Sequence, residues 1–334
     1  MVVKSEEEED CPKECTCNPT NELECSHLEL SRIPPSWPAH YRKIVLKNCS
    51  INTIEKNAFR RFQHLQQVHL ENCSDLDVID KFAFKGLQKL RLISIVHNPK
   101  LKELYKASFS GIGNQHSLII HIKHNAIERI RAHTFKNANN LRELIVEDKC
   151  FEVESLAFAS ISKVDFLTVK GACVIEEKAF QNTSRVHNLS ILDSSLDIKP
   201  KTFAELNHVN QIQLRDNRIG QIEVEAFAGL FTVGTAHLQS NQIGRILRES
   251  LPMLKTWVHW SYPTTHCEMR WIQFYEDQAL LAENYCGREE AFKALTYYKP
   301  LGCPPLQTHI QEDYYQSPPT TSSSHVPPAP PNLL

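Results

Sequence analysis

The chain has 334 residues, of which 41% are hydrophobic and 23% are charged, so it is long enough to bury a sizeable core. Its 37 basic and 39 acidic residues give a formal net charge of −2, which excludes a global attraction to nucleic acid or to an anionic membrane. Charged residues interrupt every apolar stretch well before the roughly 18 residues that a membrane helix needs, so we expect no membrane insertion within this chain.

Eleven cysteines are many for a chain of this length, and seven of them cluster near its two ends, within residues 11–25 and 267–303. This distribution favours disulfide-bonded caps and an oxidising, extracellular compartment. The first ten residues contain the acidic run from Glu6 to Asp10 and lack the apolar core of a secretory signal. We therefore expect a disordered arm here and a native start further upstream, with export by another route as the alternative.

One pattern of apolar residues recurs nine times at intervals of 22 to 27 residues. In one copy, Val209, Ile212 and Leu214 occupy the first, fourth and sixth positions, and Asn217 occupies the ninth. This period and pattern are the signature of a leucine-rich repeat, whose units bury their apolar faces only by stacking. The sequence therefore predicts an α/β solenoid, a horseshoe with a concave parallel β-sheet and short strands or helical turns on its convex side. The copies begin at Tyr41, Leu65, Leu90, Ser117, Leu141, Val164, Val186, Val209 and Val233.

The ninth position of each copy is expected to turn the chain, because an Asn side chain there can bond backbone groups that the turn leaves unpaired. Cys150 and Cys173 lie one residue beyond this position in adjacent copies, where either a disulfide or two buried thiols would fit. Where Cys replaces Asn at the ninth position itself, we expect the thiol to remain free. The position holds Asn98, Asn125, Asn217 and Asn241, with Cys49 and Cys73 in the first two copies and Ser194 in the seventh.

Eight copies carry a phenylalanine in the segment that returns to the next strand. We predict that these rings stack into a buried ladder along the convex side, since each repeat places its ring at the same point. The alternative is an aromatic stripe for binding. The series comprises Phe59, Phe84, Phe109, Phe135, Phe158, Phe180, Phe203 and Phe227.

The end of the chain changes character from Pro304 onward, where prolines and a Thr/Ser run replace aliphatic residues and predict disorder. The sequence thus divides into an acidic arm (1–10), an N-terminal cysteine cap (11–40), about nine repeats (41–254), a C-terminal cysteine cap (255–303) and a Pro/Ser/Thr-rich tail (304–334).

The spacing of the first four cysteines, C-x3-C-x-C-x7-C, lies directly before Ile33-Pro34 and the first repeat. This pattern resembles the N-terminal cap of extracellular leucine-rich-repeat proteins with cysteine-rich caps at both ends. The resemblance implies the disulfide pairs Cys11–Cys17 and Cys15–Cys25. A zinc site built from the four thiolates is the competing interpretation.

The segment from Cys267 to Trp271 resembles the C-terminal cap of the same proteins, although Thr265 stands where the family has its first cysteine. The resemblance implies a pair between Cys267 and Cys303. It leaves Cys286 without its usual partner, either buried or linked to another chain.

The concave surface is the expected binding surface, because solenoids commonly bind through that face. Positions 2, 3, 5, 7 and 8 of each strand point outward there, and they are mainly basic in the first four copies and mainly acidic in the next three. We expect a protein partner with matching halves of charge; the alternative is a solvated face that only keeps the solenoid soluble. The basic half contains Arg42, Lys43, Lys47, Arg91 and Lys123 against Glu71, and the acidic half contains Glu143, Glu147, Asp148, Asp165 and Asp193 against Arg142 and Lys170.

Histidines and glycosylation sequons also fall on predicted surface positions. A role for the histidines in metal binding or pH sensing is the alternative to scattered surface residues, and we expect no metal and no other cofactor. Asn48, Asn72, Asn182 and Asn188 begin sequons that could carry glycans if the protein is secreted, and Asn188 would project into the concave face. The concave histidines are His69, His97, His121, His124 and His237.

The sequence contains no motif of a catalytic serine, a zinc peptidase or a phosphate-binding loop, so we do not expect an enzyme. It predicts a secreted or cell-surface leucine-rich-repeat protein that binds a protein ligand or receptor, in adhesion, matrix assembly or signalling. Two alternatives stay open: a truncated ligand-binding ectodomain of a signalling receptor, and a cytosolic scaffold with reduced cysteines.

Overall fold

The computed structural model describes residues 11–113, 115–206, 208–228, 230, 233–238, 240–247 and 250, with the backbone of three further short strands, 257–260, 285–286 and 293–294. All of them lie in one unit, Met1–Pro300. The expected arm at 1–10, the tail at 304–334 and the pair Cys267–Cys303 fall outside the described residues.

The described strands are short and regular, apart from two long ones in the middle. In chain order they are β1 (Cys15–Asn18), β2 (Glu22–Ser26), β3 (Lys43–Lys47), β4 (Thr53–Ile54), β5 (Gln67–Glu71), β6 (Val78–Ile79), β7 (Leu92–Val96), β8 (Glu103–Leu104), β9 (Leu118–Lys123), β10 (Arg129–Ile130), β11 (Leu141–Val153), β12 (Val164–Ile175), β13 (Val186–Leu192), β14 (Ser195–Ile198), β15 (Val209–Arg215), β16 (Arg218–Ile222), β17 (Val233–Leu238), β18 (Gln242–Ile246), β19 (Trp257–Trp260), β20 (Tyr285–Cys286) and β21 (Lys293–Ala294).

One long sheet runs through every repeat. Its parallel path is β2-β3-β5-β7-β9-β11-β12-β13-β15-β17-β19, so each repeat adds one strand in register with the last. Within a strand the side chains alternate: Val68 and Leu70 of β5 are buried, whereas Gln67, His69 and Glu71 are half-buried on the opposite face. The predicted solenoid with a parallel sheet is confirmed.

The phenylalanine ladder is also confirmed, and its rings form the convex side of the core. All eight rings are at most 1% exposed, and neighbouring rings are stacked with centroids 5.3 to 5.9 Å apart. Parallel strands in a sheet lie only about 4.8 Å apart. The wider spacing on the phenylalanine side bends the stack, which makes the sheet concave.

A second ladder runs through the turns that follow the strands. The Asn98 side chain accepts a hydrogen bond from the backbone N–H of Cys73 (2.9 Å) and donates to the carbonyls of Leu70 (3.2 Å) and Val96 (3.1 Å). Asn217 repeats the arrangement, accepting from Ser194 N–H (2.9 Å). These buried amides satisfy backbone groups of adjacent repeats, as expected for the ninth position.

The N-terminal cap closes one end of the sheet. Strands β1 and β2 form an antiparallel hairpin in which Cys15 faces Cys25, and β2 then pairs in parallel with β3. The cap contains the two disulfides that the resemblance implied, Cys11–Cys17 and Cys15–Cys25, with Cα atoms 5.9 and 4.2 Å apart. Because these four sulfurs are bonded in pairs, they are not available as zinc ligands.

A third disulfide joins Cys150 of β11 to Cys173 of β12, which answers the question that the sequence left open. Cys49 and Cys73 are buried free thiols. Burial raises the pKa of both thiols, that of Cys73 to about 11, against weaker lowering by backbone hydrogen bonds.

Candidate binding surfaces

The concave face consists of three rows of side chains, each running across the strands. Positions 3, 5 and 7 of every repeat supply one row each, because paired residues in a parallel sheet stand side by side. The register sets these neighbours: the first row includes Lys43, Gln67, Leu92, Ile119, Glu143, Phe166, Asn188 and Gln211, and the third row includes Lys47, Glu71, Val96, Lys123, Glu147, Lys170, Leu192 and Arg215.

The basic end of this face is less uniform than the sequence predicted. The Nζ of Lys43 lies 3.6 Å from the Oε2 of Glu22, a cap residue on the adjacent strand β2. Arg42, Lys47 and Arg91 are exposed, and within the described part of the chain they form no ion pair. At this end of the face, these three residues and the half-buried Lys123 of the third row carry positive charge that is not engaged in an ion pair within the described residues.

The acidic middle of the face is a set of ion pairs. Lys170 Nζ lies 2.8 Å from Glu147 and 3.5 Å from Asp193. Partial burial acts to raise the pKa of Glu147, but the hydrogen bond and charge of Lys170 outweigh it and the pKa is lowered. The hydrogen bond from Lys170 to Glu147 raises the pKa of the lysine in turn. Glu147 and Asp193 thus share one lysine, which balances one of their two negative charges.

The other predicted acids also have local partners. Glu143 Oε2 lies 2.8 Å from Nε2 of His121, and Asp165 lies 3.2 Å from Lys163. Asp148 accepts a hydrogen bond from the backbone N–H of Ile127 (3.1 Å). Asp165 is thus paired with a lysine, whereas Glu143 and Asp148 are held by a histidine and a backbone N–H, and the five acids of this region still outnumber its cations Arg142, Lys163 and Lys170.

Concave histidines make two close side-chain contacts, one with another histidine and one with a glutamate. His97 and His124 are exposed and stack with ring centroids 5.2 Å apart. His69 is half-buried beside Glu71, with Nδ1 3.5 Å from its carboxylate, and desolvation lowers the pKa of His69 more than Glu71 raises it. Within the described residues, no group of three or more His, Cys, Asp or Glu is placed to hold a metal ion.

The sequence analysis missed an apolar patch at the centre of the concave face. Leu92, Ile119 and Ile145 are half-buried there, and Phe166 is 43% exposed, with its ring edge-on to His187 at 6.3 Å. The signal was present as apolar residues at positions 3 and 5, where a merely solvated face would carry polar side chains. We call Leu92, Ile119, Ile145 and Phe166 the concave patch.

A groove of about 710 Å³ opens beside the ends of the central strands. The disulfide between Cys150 and Cys173 forms part of its wall, together with the stacked histidines and the Glu147–Lys170 pair. The groove lies where the Asn ladder is interrupted, since its lining residue Lys149 occupies the ninth position of the repeat.

The four sequons lie on two different surfaces. Asn48, Asn72 and Asn182 are exposed in turns, whereas Asn188 is half-buried in the first concave row, directly beside Phe166. A glycan on Asn188 would cover part of the concave patch, and occupancy at all four sites stays a prediction.

Among the residues that the structure describes, there is no helix with the length and apolar character needed to span a membrane.

Known proteins with similarity to this chain match it over a short segment or at low sequence identity. Mouse podocan is 30% identical over 78 residues, which is 22% of this chain and only 13% of podocan. Human 5T4 (Wnt-activated inhibitory factor 1, trophoblast glycoprotein) has 17% identity and a TM-score of 0.45, covering 85% of this chain and 96% of the other. A chain from the octameric complex of latrophilin 3, Unc5D and FLRT2 has 19% identity and a TM-score of 0.48, covering 85% and 83%.

The family assignment comes from the repeats themselves. The family described as BspA type leucine rich repeat region matches six copies over residues 39–165 and 173–255, more than half of the chain. The same residues form the stacked parallel strands and the phenylalanine ladder. The chain therefore belongs to this family of leucine-rich-repeat proteins.

Proposed function

We propose that this chain is a binding protein without catalytic activity, which holds a protein partner against the concave face. The observation that carries the proposal is the 43% exposed ring of Phe166 at the centre of that face. Large aromatic side chains surrounded by half-buried apolar neighbours and a polar rim are typical of the energetic centre of protein interfaces. A face that only kept the solenoid soluble would not expose an aromatic ring among aliphatic residues.

The charges around the concave patch indicate what kind of partner fits. On the N-terminal side, Arg42, Lys47 and Arg91 are exposed and without ion pairs among the described residues, whereas Glu147 and Asp165 on the other side are each paired with a lysine. We propose a partner that inserts an apolar side chain against Phe166 and places acidic groups over these three cations. Complementary charge would orient the approach, and the apolar contact would supply most of the affinity.

The test compares two exposed aromatic residues on different faces. Phe166→Ala removes the centre of the concave patch, and Tyr105→Ala removes a ring that is 41% exposed in the return segment ahead of Phe109. Partners are first captured by the wild-type protein from cell surfaces and conditioned medium, and their affinities for the three proteins are then measured by surface plasmon resonance. We expect Phe166→Ala to weaken binding about 30-fold or more, as for a residue at an interface centre, and Tyr105→Ala to leave it unchanged.

Capture of a protein by the wild-type chain does not by itself support binding at the concave patch. If both variants bind equally well, or if Tyr105→Ala has the larger effect, the concave patch is not the docking surface. Circular dichroism and thermal unfolding of both variants show whether a loss of binding reflects a loss of fold.

We also propose that the protein resides outside the cell or on its surface. The three disulfides support this, since such bonds persist in oxidising compartments. Six of the eleven cysteines are paired, which leaves at most five free thiols in the unfolded, unreduced protein. Thiol counting in denaturant on protein isolated from its source therefore gives five or fewer; a count near eleven would instead support a cytosolic scaffold.

A further inference from the structure

A strip of cations follows the convex turns of the first four repeats. Lys56, Lys81 and Lys106 each stand three residues before a ladder phenylalanine, and all three are exposed. The fourth repeat has Ala132 at this position. A second series, Arg60, Lys85 and Lys136, stands one residue after the phenylalanine, where the third repeat has Ser110 instead. Together the convex strip comprises Lys56, Arg60, Lys81, Lys85, Lys106 and Lys136, every one of them exposed.

Acidic residues are scarce around these turns in the first four repeats, although they stand at the same turns of later repeats, as Glu154, Glu176 and Glu223. Residues 56–70, 81–102 and 104–127 contain no Asp or Glu. Two acids lie at the start of the turns, Glu55 and Asp80, and Glu55 is 4.0 Å from Arg32. The other acids of these repeats lie on the strands or on the segments that leave them, and Glu103 among them is paired with Arg129 and Arg131. The formal net charge of −2 therefore conceals a marked separation of charge.

The backbone fixes the spacing of the strip. Two residues before each ladder phenylalanine, a residue with positive φ donates its N–H to the equivalent carbonyl of the next repeat. Asn57 donates to Phe82, Phe82 to Ala107, and Ala107 to His133. The ring centroids beneath are 5.4, 5.6 and 5.3 Å apart from Phe59 to Phe135. Equivalent cations of neighbouring repeats are thus separated by one repeat. The turns that carry them are joined by backbone hydrogen bonds.

The N-terminal end of the strip opens into a groove of about 640 Å³. Four cations line it, Arg32, Lys56, Arg60 and Arg61, against the single acid Glu55. Pro34 and Pro35 of the cap form an apolar wall on one side. A groove of this size with several converging cations can hold an anionic unit of a larger ligand, since the positive potential is concentrated there.

We propose that the convex strip binds a linear sulfated polysaccharide. One sulfated unit occupies the groove, and the chain continues across the repeats over Lys81, Lys85, Lys106 and Lys136. A regular row of cations suits a polymer with regularly repeated charges better than a small anion, because each further contact adds to the same binding event. A flat anionic membrane would touch only part of this convex surface. The disulfides favour a compartment in which sulfated polysaccharides, rather than nucleic acids, are the available linear polyanions.

The test uses heparin oligosaccharides and two triple variants with the same change in net charge. Lys56→Gln/Arg60→Gln/Lys85→Gln neutralises three of the six strip cations, and Lys100→Gln/Lys102→Gln/Lys149→Gln neutralises three exposed lysines elsewhere on the repeats. Binding to the full chain is measured by calorimetry from 0.05 to 0.3 M NaCl. We expect the strip variant to bind about tenfold more weakly at 0.15 M salt and to show a shallower salt dependence, while the control binds like wild type.

Four results would overturn the proposal. Wild-type protein could fail to bind heparin at 0.15 M NaCl, or the two variants could lose affinity equally, which would place the site elsewhere. Fully desulfated heparin could bind as well as heparin, which would exclude recognition of sulfate. Single-stranded DNA or phosphatidylserine vesicles could bind more tightly than heparin, which would identify a different class of ligand. Unchanged circular dichroism of both variants is required for the comparison.

Discussion

The asparagines at the ninth position act as hydrogen-bonding residues between repeats. Asn217 is 3% exposed; its side chain accepts from Ser194 N–H at 2.9 Å and donates to the Ile191 carbonyl at 2.9 Å. Its own N–H is bonded to the side chain of Asn241. A single buried side chain therefore bonds two backbone groups of the preceding repeat.

Removing that side chain leaves buried polar groups without partners. We expect Asn217→Ala to lower the free energy of unfolding by about 2–4 kcal/mol. An unsatisfied buried group costs about 1–3 kcal/mol, and the substitution leaves two such groups, the Ser194 N–H and the Ile191 carbonyl. Urea unfolding followed by circular dichroism measures the change. Gln213→Ala, at a half-buried concave position of the same repeat, is the matched control with an expected change below about 0.5 kcal/mol. Equal losses in the two variants would contradict the role of the Asn ladder.

The two free thiols replace asparagines in this ladder and should be unreactive in the folded protein. Both are 0% exposed, and burial raises the pKa of Cys73 from 9.0 to about 11. The unfolded thiol therefore ionises at lower pH than the folded one, so stability is fully present below pH 9 and declines as the pH rises from about 9 to 11. Cys73→Ala should remove part of this decline, measured as urea unfolding at pH 8 and pH 10.5.

Thiol labelling provides an independent measurement on the same residues. At pH 8, a maleimide should label Cys49 and Cys73 of the folded protein no faster than the protein unfolds, since only the exposed thiolate reacts. In denaturant, labelling should be fast. Rapid labelling without denaturant would mean that the turns of the first two repeats open locally.

At the scale of elements, the central strands differ from the rest. Strand β11 has 13 residues and β12 has 12, because strand pairing continues through the turn, with positive φ at Cys150 and Gly171 and register shifts between Glu147 and Glu152, where other repeats leave the sheet at an Asn. Lys149 takes the ninth position in β11, and the two strands approach so closely that a Cβ on Gly171 would lie 1.9 Å from the Asp148 carbonyl oxygen. The disulfide between Cys150 and Cys173 joins the repeats at the place where the Asn ladder is interrupted.

We expect this disulfide to substitute for the missing ladder contacts. Cys150→Ser/Cys173→Ser should lower the free energy of unfolding by about 2–4 kcal/mol, a typical value for a bridge that closes a loop of this size. Hydrogen exchange should become faster in β11 and β12 and stay unchanged in β3 and β5. Uniform faster exchange throughout the repeats would indicate that the bridge stabilises the whole solenoid instead of this junction.

The sequence predicts the elements that recur and misses those that occur once. The phenylalanine ladder was predictable because every copy places its ring at one register position, and the parallel sheet follows from the same repetition. The continuation of β11 beyond Lys149 was not predictable from that pattern, because it depends on the bridge and on the close approach at Gly171. Likewise, the charge of Lys43 could not be assessed alone, since its partner Glu22 comes from the cap.

At the scale of the whole repeat domain, the charges are arranged by surface. The convex strip of the first four repeats is basic, acids such as Glu154, Glu177 and Glu223 stand at the corresponding turns of later repeats, and the concave face has unpaired cations at its N-terminal end and a partly paired set of acids in its middle. Residue types alone predicted an acidic middle on the concave face. The structure adds which of those acids have a cationic partner, such as Glu147 beside Lys170, and such pairing depends on side-chain positions that register gives only roughly.

This arrangement predicts which charges control the rate of encounter with a concave partner. Arg42→Glu/Lys47→Glu should slow association with the captured partner about three- to tenfold at 0.05 M NaCl, because unpaired charges steer an approaching partner. Lys43→Gln should have a much smaller effect, since Glu22 at 3.6 Å already compensates that lysine. Stopped-flow association kinetics measure both variants, and the difference from wild type should shrink at 0.5 M NaCl, where the charges are screened. A slow variant at every salt concentration would point to lost contacts instead of lost steering, and an unchanged rate at low salt would mean that the partner does not approach over the basic end.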